Sequence, residues 1–254
     1  MDLSSQSWQQ LVAQYVKNDV NALIAIVGQT SSGKTSFSLK VAQYLISSGH
    51  KAAIVNADSR QCYKYLNIGT GKIKPNQMQG IKHYMFDVLD PKEPITMYWY
   101  KKRAEDTIKQ LHQENIIPIL VGGSMLYVSS ITDERSERSQ KTKVELQLTN
   151  PTEALHLGME KNKELANAII ERRVQAMLEE GWLQEVQQLI RKDYNASDPG
   201  FISLGYREII EVAKGNLSLE EAKQRIIQKT KKYAKRQRTW WKSDSRIHWI
   251  TAEE

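Results

Sequence analysis

Cysteine, phenylalanine and proline are scarce in this chain, at one, three and six residues among 254. A single thiol, Cys62, cannot close an internal disulfide, and it supplies too little sulfur for a metal site. Stability must therefore come from a buried core, and the expected compartment is a reducing cytosol. Long apolar runs are also missing. The longest, Ala22 to Val27, has six residues, whereas a membrane helix needs about twenty. The opening MDLSSQSWQQ has no signal-peptide core, so a cytoplasmic protein with no membrane partner is expected. Acidic residues number 29 against 36 basic ones, a formal charge of +7, and where that surplus lies matters more than its size.

What is present begins directly after that apolar run. Gly28-Gln-Thr-Ser-Ser-Gly-Lys-Thr35 reads G-x-x-x-x-G-K-T, placed between a buried-strand pattern and a helix-compatible run from Ser36 to Ser47. Strand, glycine turn and helix N-terminus make a P-loop, whose amide groups and helix dipole gather around a polyphosphate. Lys34 adds a point charge, and the Thr35 hydroxyl can ligate Mg²⁺, the one cofactor expected. The pattern alone leaves three options: a nucleotide to hydrolyse, a phosphoryl donor, or a diphosphate leaving group.

The chain alternates strand and helix through its first half. Residues 1–20 read as an amphipathic helix. Strands are expected at 22–27, 51–56, 83–89 and 118–121, and helices at 34–47 and 96–114. This α/β alternation predicts a P-loop NTPase-like parallel sheet covered by helices. Residues 129–160 are polar and aperiodic and read as a connection. Helices return at 161–180, 182–192, 206–214 and 218–241, followed by a strand at 247–250. The expected division is a core over 1–128, a reduced insertion over 129–168 and a helical C-terminal part over 169–254.

Ligands collect beyond the carboxyl ends of such strands. The P-loop, Asp58-Ser59-Arg60-Gln61 and Gly122-Gly123 each follow a strand and should converge. Asp58 has three readings there: a Mg²⁺ ligand, a general base, or a helix N-cap. Near the C-terminus, nine Lys or Arg residues lie between Lys223 and Lys242 with no acidic residue among them. Tyr233, Trp240 and Trp241 are interleaved. The segment is either a solvated helix face or an anion-binding surface for nucleic acid.

Taken together, GQTSSGKT, NADSRQCY (56–63), NIGTGK (67–72), HYMFDVLDPKEP (83–94), ILVGGSMLY (119–127), RRVQAMLEEGWLQEV (172–186), LGYREII (204–210) and TKKYAKRQRTWWKSDSRIHWI (230–250) resemble the tRNA dimethylallyltransferases. The resemblance implies transfer of a dimethylallyl group from dimethylallyl diphosphate to N6 of adenosine 37 in tRNA, with the tRNA anticodon stem-loop as partner and a monomer as the working unit. It implies that Asp58 is the base, that Lys34, Thr35 and Arg173 complete the catalytic set, and that Gly28, Thr30, Ser31, Ser32, Gly33 and Thr70 join them around the diphosphate. It assigns Ser59, Arg60, Gln61, Gly122, Gly123, Ser124, Tyr127, Arg236 and Gln237 to the substrate side.

Two departures stand out. Ile169 occupies a position where the family often has arginine, and the interval from Ser129 to about Asn167 is far shorter than the family's inserted helical domain. The second favours a free adenylate acceptor, as in the cytokinin-type isopentenyltransferases, whereas ADSRQ and the basic segment favour tRNA. A P-loop phosphotransferase or NTPase is a further alternative, although no persuasive strand-borne Walker-B aspartate is seen. A catalytically dead RNA-binding relative is the last, and the retained Lys34, Thr35, Asp58 and Arg173 speak against it.

Overall fold

The computed structural model describes residues 7–19, 21–132 and 152–250. Its centre is β1 (Ile24–Gly28), all five residues of which are buried. Side chains alternate across it: Ile24 and Ile26 enter one apolar layer, Leu23 and Val27 the other. A strand buried on both faces needs neighbours of its own kind, and a parallel sheet supplies them. The others are β2 (Lys51–Asn56), β3 (His83–Tyr84), β4 (Ile116–Val121), β5 (Leu155–Met159) and β6 (Ile247–Ile250), in the order β3-β2-β4-β1-β5-β6. Every pairing is parallel.

Helices α1 (Trp8–Asn18) and α2 (Lys34–Ser47) cover one face. A capping box at Ser7 and Gln10 starts α1, and Trp8 anchors it edge-on against Phe37 and Tyr44. Helices α3 (Met97–Gln113) and α4 (Met125–Thr132) cover the other face. The remaining helices are α5 (Lys163–Glu179), α6 (Trp182–Arg191), α7 (Tyr206–Ala213) and α8 (Leu219–Lys242). They pack with Tyr63 and Leu66 into a third apolar cluster around Trp182 and Tyr206, and Trp241, late in α8, reaches back to the sheet core.

Two sequence expectations need correction. The strand expected over 83–89 joins β2 at His83 and Tyr84 and then breaks off, because Met85 and Asp87 take left-handed φ values of +64° and +54° and turn the chain out of the ladder; Leu89 makes an isolated bridge to Tyr63 instead. Residues 129–160 are not one polar connection: α4 runs to Thr132, and β5 lies inside the sheet between β1 and β6. His156 and Gly158 disguise β5 as half polar. The His156 ring is buried but satisfied by Ala154 O (3.0 Å) and Thr132 Oγ1 (3.1 Å). At Gly158 a Cβ would stand 2.4 Å from Ile247 Cγ2, so only glycine admits β6 so closely. The middle of the expected insertion, residues 133–151, lies outside the described residues, as do residues 1–6 of the expected first helix.

Candidate active site

The loop after β1 is shaped by three left-handed residues. Gly28 has φ +143°, and a Cβ there would lie 2.3 Å from Met159 O. Gly33 (φ +100°) caps α2 without a side-chain acceptor, which leaves the first amides of the helix facing outward. Ser31 adopts φ +62° despite carrying a side chain, a conformation that structure retains where it serves a site. The Ser31 and Ser32 hydroxyls are buried and, among the described residues, have no hydrogen-bond partner. Buried polar groups left open cost free energy. Here they sit beside a helix N-terminus, a place that favours an anion.

The Lys34 ammonium turns back into the loop and donates to Gly28 O (3.1 Å) and Gln29 O (2.7 Å). Burial pushes its pKa down to about 8; the Asp58 charge opposes this and Arg173 adds to it. Arg173 comes from α5 and donates a long hydrogen bond of 3.5 Å to Thr70 O. Burial lowers its pKa too, again opposed by Asp58. Two cations therefore lie near each other, and the Asp58 carboxylate acts on both. That surplus of positive charge in low dielectric calls for an anion. Gly71 is what lets Arg173 in, since a Cβ there would stand 1.9 Å from Nη2.

One consequence can be measured. An anion stabilises charged Lys34, and the unbound group loses its proton near pH 8. Affinity for inorganic diphosphate should hold steady below that pH. Above it, affinity should fall by up to about tenfold per pH unit, as one proton must be taken up on binding. In Lys34→Arg that slope should disappear, as read by calorimetric titration from pH 7 to 9.5; an equal slope in both proteins would exclude Lys34 as the group responsible.

Asp58 stands in the turn after β2. Its amide donates to Asn56 Oδ1 (2.9 Å), and its Oδ1 accepts from Arg60 N (3.0 Å). The capping role is thus real but uses one carboxylate oxygen and a turn rather than a helix. Among the described residues Oδ2 has no hydrogen-bond partner and remains available to a substrate proton. Gln61 is committed elsewhere: its Nε2 donates to Thr70 O (3.1 Å) and Gly71 O (3.3 Å). The Thr70 hydroxyl donates to Leu66 O (2.6 Å), so it is the Thr70 carbonyl that meets Arg173. Glu185 on α6 accepts from Asn67 N (3.0 Å) and Ile68 N (2.8 Å), and the Tyr206 hydroxyl holds its other oxygen at 2.7 Å. Lys72 ties the same turn to Tyr63 O and Asp87.

On the β4 side, Gly122 and Gly123 serve close packing. A Cβ on Gly122 would lie 2.2 Å from Ala57 O, and one on Gly123 would lie 2.4 Å from Gln237 Nε2. Ser124 Oγ accepts from Ser59 N (3.3 Å). Arg60 spans Tyr63, with its guanidinium carbon 5.9 Å from the ring centre, and Pro199 O at 3.5 Å.

Gln237, expected on the substrate side, faces inward to the P-loop, where its Oε1 accepts from Thr30 N (2.8 Å). That bond also removes the Thr30 amide from the phosphate-binding set. Arg236 is exposed and stacks on Tyr233 at 5.6 Å. Tyr233, which is not among the expected site residues, lies near Asp58, and burial foremost, with the Asp58 charge adding to it, pushes its pKa up to about 12. Its place within YAKRQ, four residues before Gln237 on one helix face, is the signal that could have found it.

The basic segment is only partly free. Lys223, Lys229, Lys231, Arg238 and Lys242 pair with Glu220, Glu208, Glu171 and, for the last two, Glu160. Lys232, Lys235 and Arg236 remain exposed on one stripe with Trp240 and, among the described residues, have no ion-pair partner.

A glycine-shaped loop between a central parallel strand and a helix, with two half-buried cations beside it, defines an α/β protein of the P-loop class. The family model described as IPP transferase matches residues 61–156 and 135–244, and the chain belongs to that family. It is 30% identical to a tRNA dimethylallyltransferase of Staphylococcus saprophyticus, with 94% of each chain covered. That aligned stretch runs to 302 positions, longer than this chain's 254 residues, so the relative carries segments absent here. The fold superposes on a tRNA isopentenylpyrophosphate transferase of Bacillus halodurans with TM-score 0.77 at 26% identity, covering 91% of this chain and 89% of the other. The corresponding Staphylococcus epidermidis structure gives TM-score 0.75 at 30% identity, with 91% and 93% covered.

Proposed function

We propose that this chain transfers the dimethylallyl group of dimethylallyl diphosphate to N6 of adenosine 37 in tRNA and releases diphosphate. The observation that carries the proposal is that the Asp58 charge acts on both Lys34 and Arg173, which puts a proton acceptor and two cations at one site. The reaction forms a C–N bond at the prenyl carbon, breaks its C–O bond to diphosphate and removes one proton from the amine. An aromatic amine is a weak nucleophile because its lone pair is shared with the ring. Asp58 Oδ2 takes the proton as the C–N bond forms. Charge gathers on the diphosphate as it leaves, and Lys34, Arg173 and the loop amides would stabilise it.

Mg²⁺ fits this donor set. Among the described residues no cluster of three or more His, Cys, Asp or Glu side chains could cage a metal. Mg²⁺ is commonly held by a hydroxyl, waters and substrate phosphates, and the exposed Thr35 at the head of α2 is the residue that would hold it. When bound, the ion would neutralise charge on the diphosphate.

The anticodon stem-loop is the partner we assign to the exposed stripe on α8. Lys232, Lys235 and Arg236 would contact phosphates, and Trp240 offers a stacking face. Changing the three cations to alanine should weaken tRNA binding and lower the slope of log K against log salt by about two to three. Filter binding from 50 to 300 mM salt reads that slope; an unchanged one makes the stripe a solvated face. Lys231 is left out of this set because Glu171 already pairs with it. Labelled donor offered tRNA and AMP together should mark tRNA; label in AMP alone would assign the cytokinin-type reaction instead.

A further inference from the structure

The inward face of α8 is apolar at Ala222, Ile226, Ile227, Ala234 and Trp241, yet Gln237 is buried among them at 2% exposure. A buried carboxamide is costly unless both of its ends are bonded. Here they are: Oε1 accepts from Thr30 N at 2.8 Å, and Nε2 donates to Gly123 O at 2.7 Å. One side chain thus ties the P-loop to the end of β4. The fit is tight, since Gly123 has no room for a Cβ beside Nε2, and its position also faces Gly28 O at 3.3 Å.

We infer that Gln237 is a positioning residue for the diphosphate grip, acting through the P-loop backbone and touching neither substrate. It holds the Thr30 peptide with its N–H turned away from the site. That fixes the entry to the strained Ser31 conformation and leaves the open Ser31 and Ser32 hydroxyls at the cradle. Without the tie, the Thr30 amide and the Gly123 carbonyl are both left buried and unpaired, and the loop relaxes to satisfy them. The inference rests on the diphosphate reading of the site given above.

Calorimetric titration with inorganic diphosphate and Mg²⁺ tests it, on the wild-type chain, Gln237→Met and Gln237→Glu. Methionine matches the length and keeps the helix while removing both bonds. Glutamate keeps the acceptor for Thr30 N and replaces the donor by a carboxylate facing Gly123 O, so it reports even if the methionine variant fails to fold. Both should weaken diphosphate binding about tenfold or more. KM for dimethylallyl diphosphate should rise by a similar factor, with KM for tRNA and kcat at saturating donor within about threefold of wild type. Unchanged diphosphate affinity with a raised KM for tRNA would place Gln237 against RNA and overturn the inference. A fall in kcat with an unchanged donor KM would overturn it as well. Absence of diphosphate binding to the wild-type chain would instead overturn the reading on which it rests.

Discussion

Asp58→Asn should reduce prenyl transfer about 10²–10⁴-fold, the usual contribution of a positioned base, while donor binding stays intact or tightens. Asparagine is the informative change because its side-chain oxygen can still accept from Arg60 N, so the turn after β2 survives. What disappears is the negative charge and the free oxygen that takes the proton. The direction of the binding effect follows from the neighbours. Asp58 is the carboxylate that offsets Lys34 and Arg173, and removing its charge leaves both cations to the diphosphate alone. Single-turnover assays and calorimetry separate the two effects. Near-normal turnover by the asparagine variant would remove Asp58 as the base, and weaker donor binding would mean that its charge does not oppose the anion.

The second large effect is expected at Lys34. Lys34→Ala should lower kcat about 10²–10³-fold, the scale measured when one preorganised charge stabiliser is removed from a transition state. The donor KM should rise less, because the loop amides and Arg173 remain in the ground state while charge on the departing diphosphate peaks later. Lys34 now spends its ammonium on Gly28 O and Gln29 O, so binding of the anion exchanges two neutral acceptors for a charged one. Equal losses in kcat and in donor affinity, as read from steady-state kinetics beside direct titration, would make Lys34 a uniform binder with no special role in bond breaking.

Much of the frame was legible because it rests on short-range signals. The β1 run, the glycine turn and α2 follow one another without a break, and α2 and β2 have the boundaries that the residues suggest. The sheet's far side was harder. β5 is five residues long, and two of them look wrong for a buried strand until Thr132 and Ile247 are brought beside them from elsewhere in the chain. Left-handed residues at 85 and 87 likewise end β3 where apolar character alone would prolong it.

The candidate site divides in a similar way. Residue types predicted that the P-loop, the Asp58 turn and the Gly122-Gly123 turn would converge, and they do. They did not reveal which groups face inward. Gln61 and Gln237 carry amides suited to a ligand, but both are taken up by backbone groups: Gln61 by Thr70 and Gly71 further along its own loop, and Gln237 by the P-loop and the end of β4. Charge density along α8 was visible in the chain, whereas its cancellation by Glu160, Glu171 and Glu208 depends on tertiary placement.

Nucleoside mass spectrometry of tRNA tests the central claim most directly. The tRNA would come from a host lacking its own A37 prenyltransferase and carrying this gene. The account predicts adenosine with a dimethylallyl group on N6 at position 37, and its loss when the gene encodes Asp58→Asn. Unmodified tRNA alongside prenylated free AMP would contradict it.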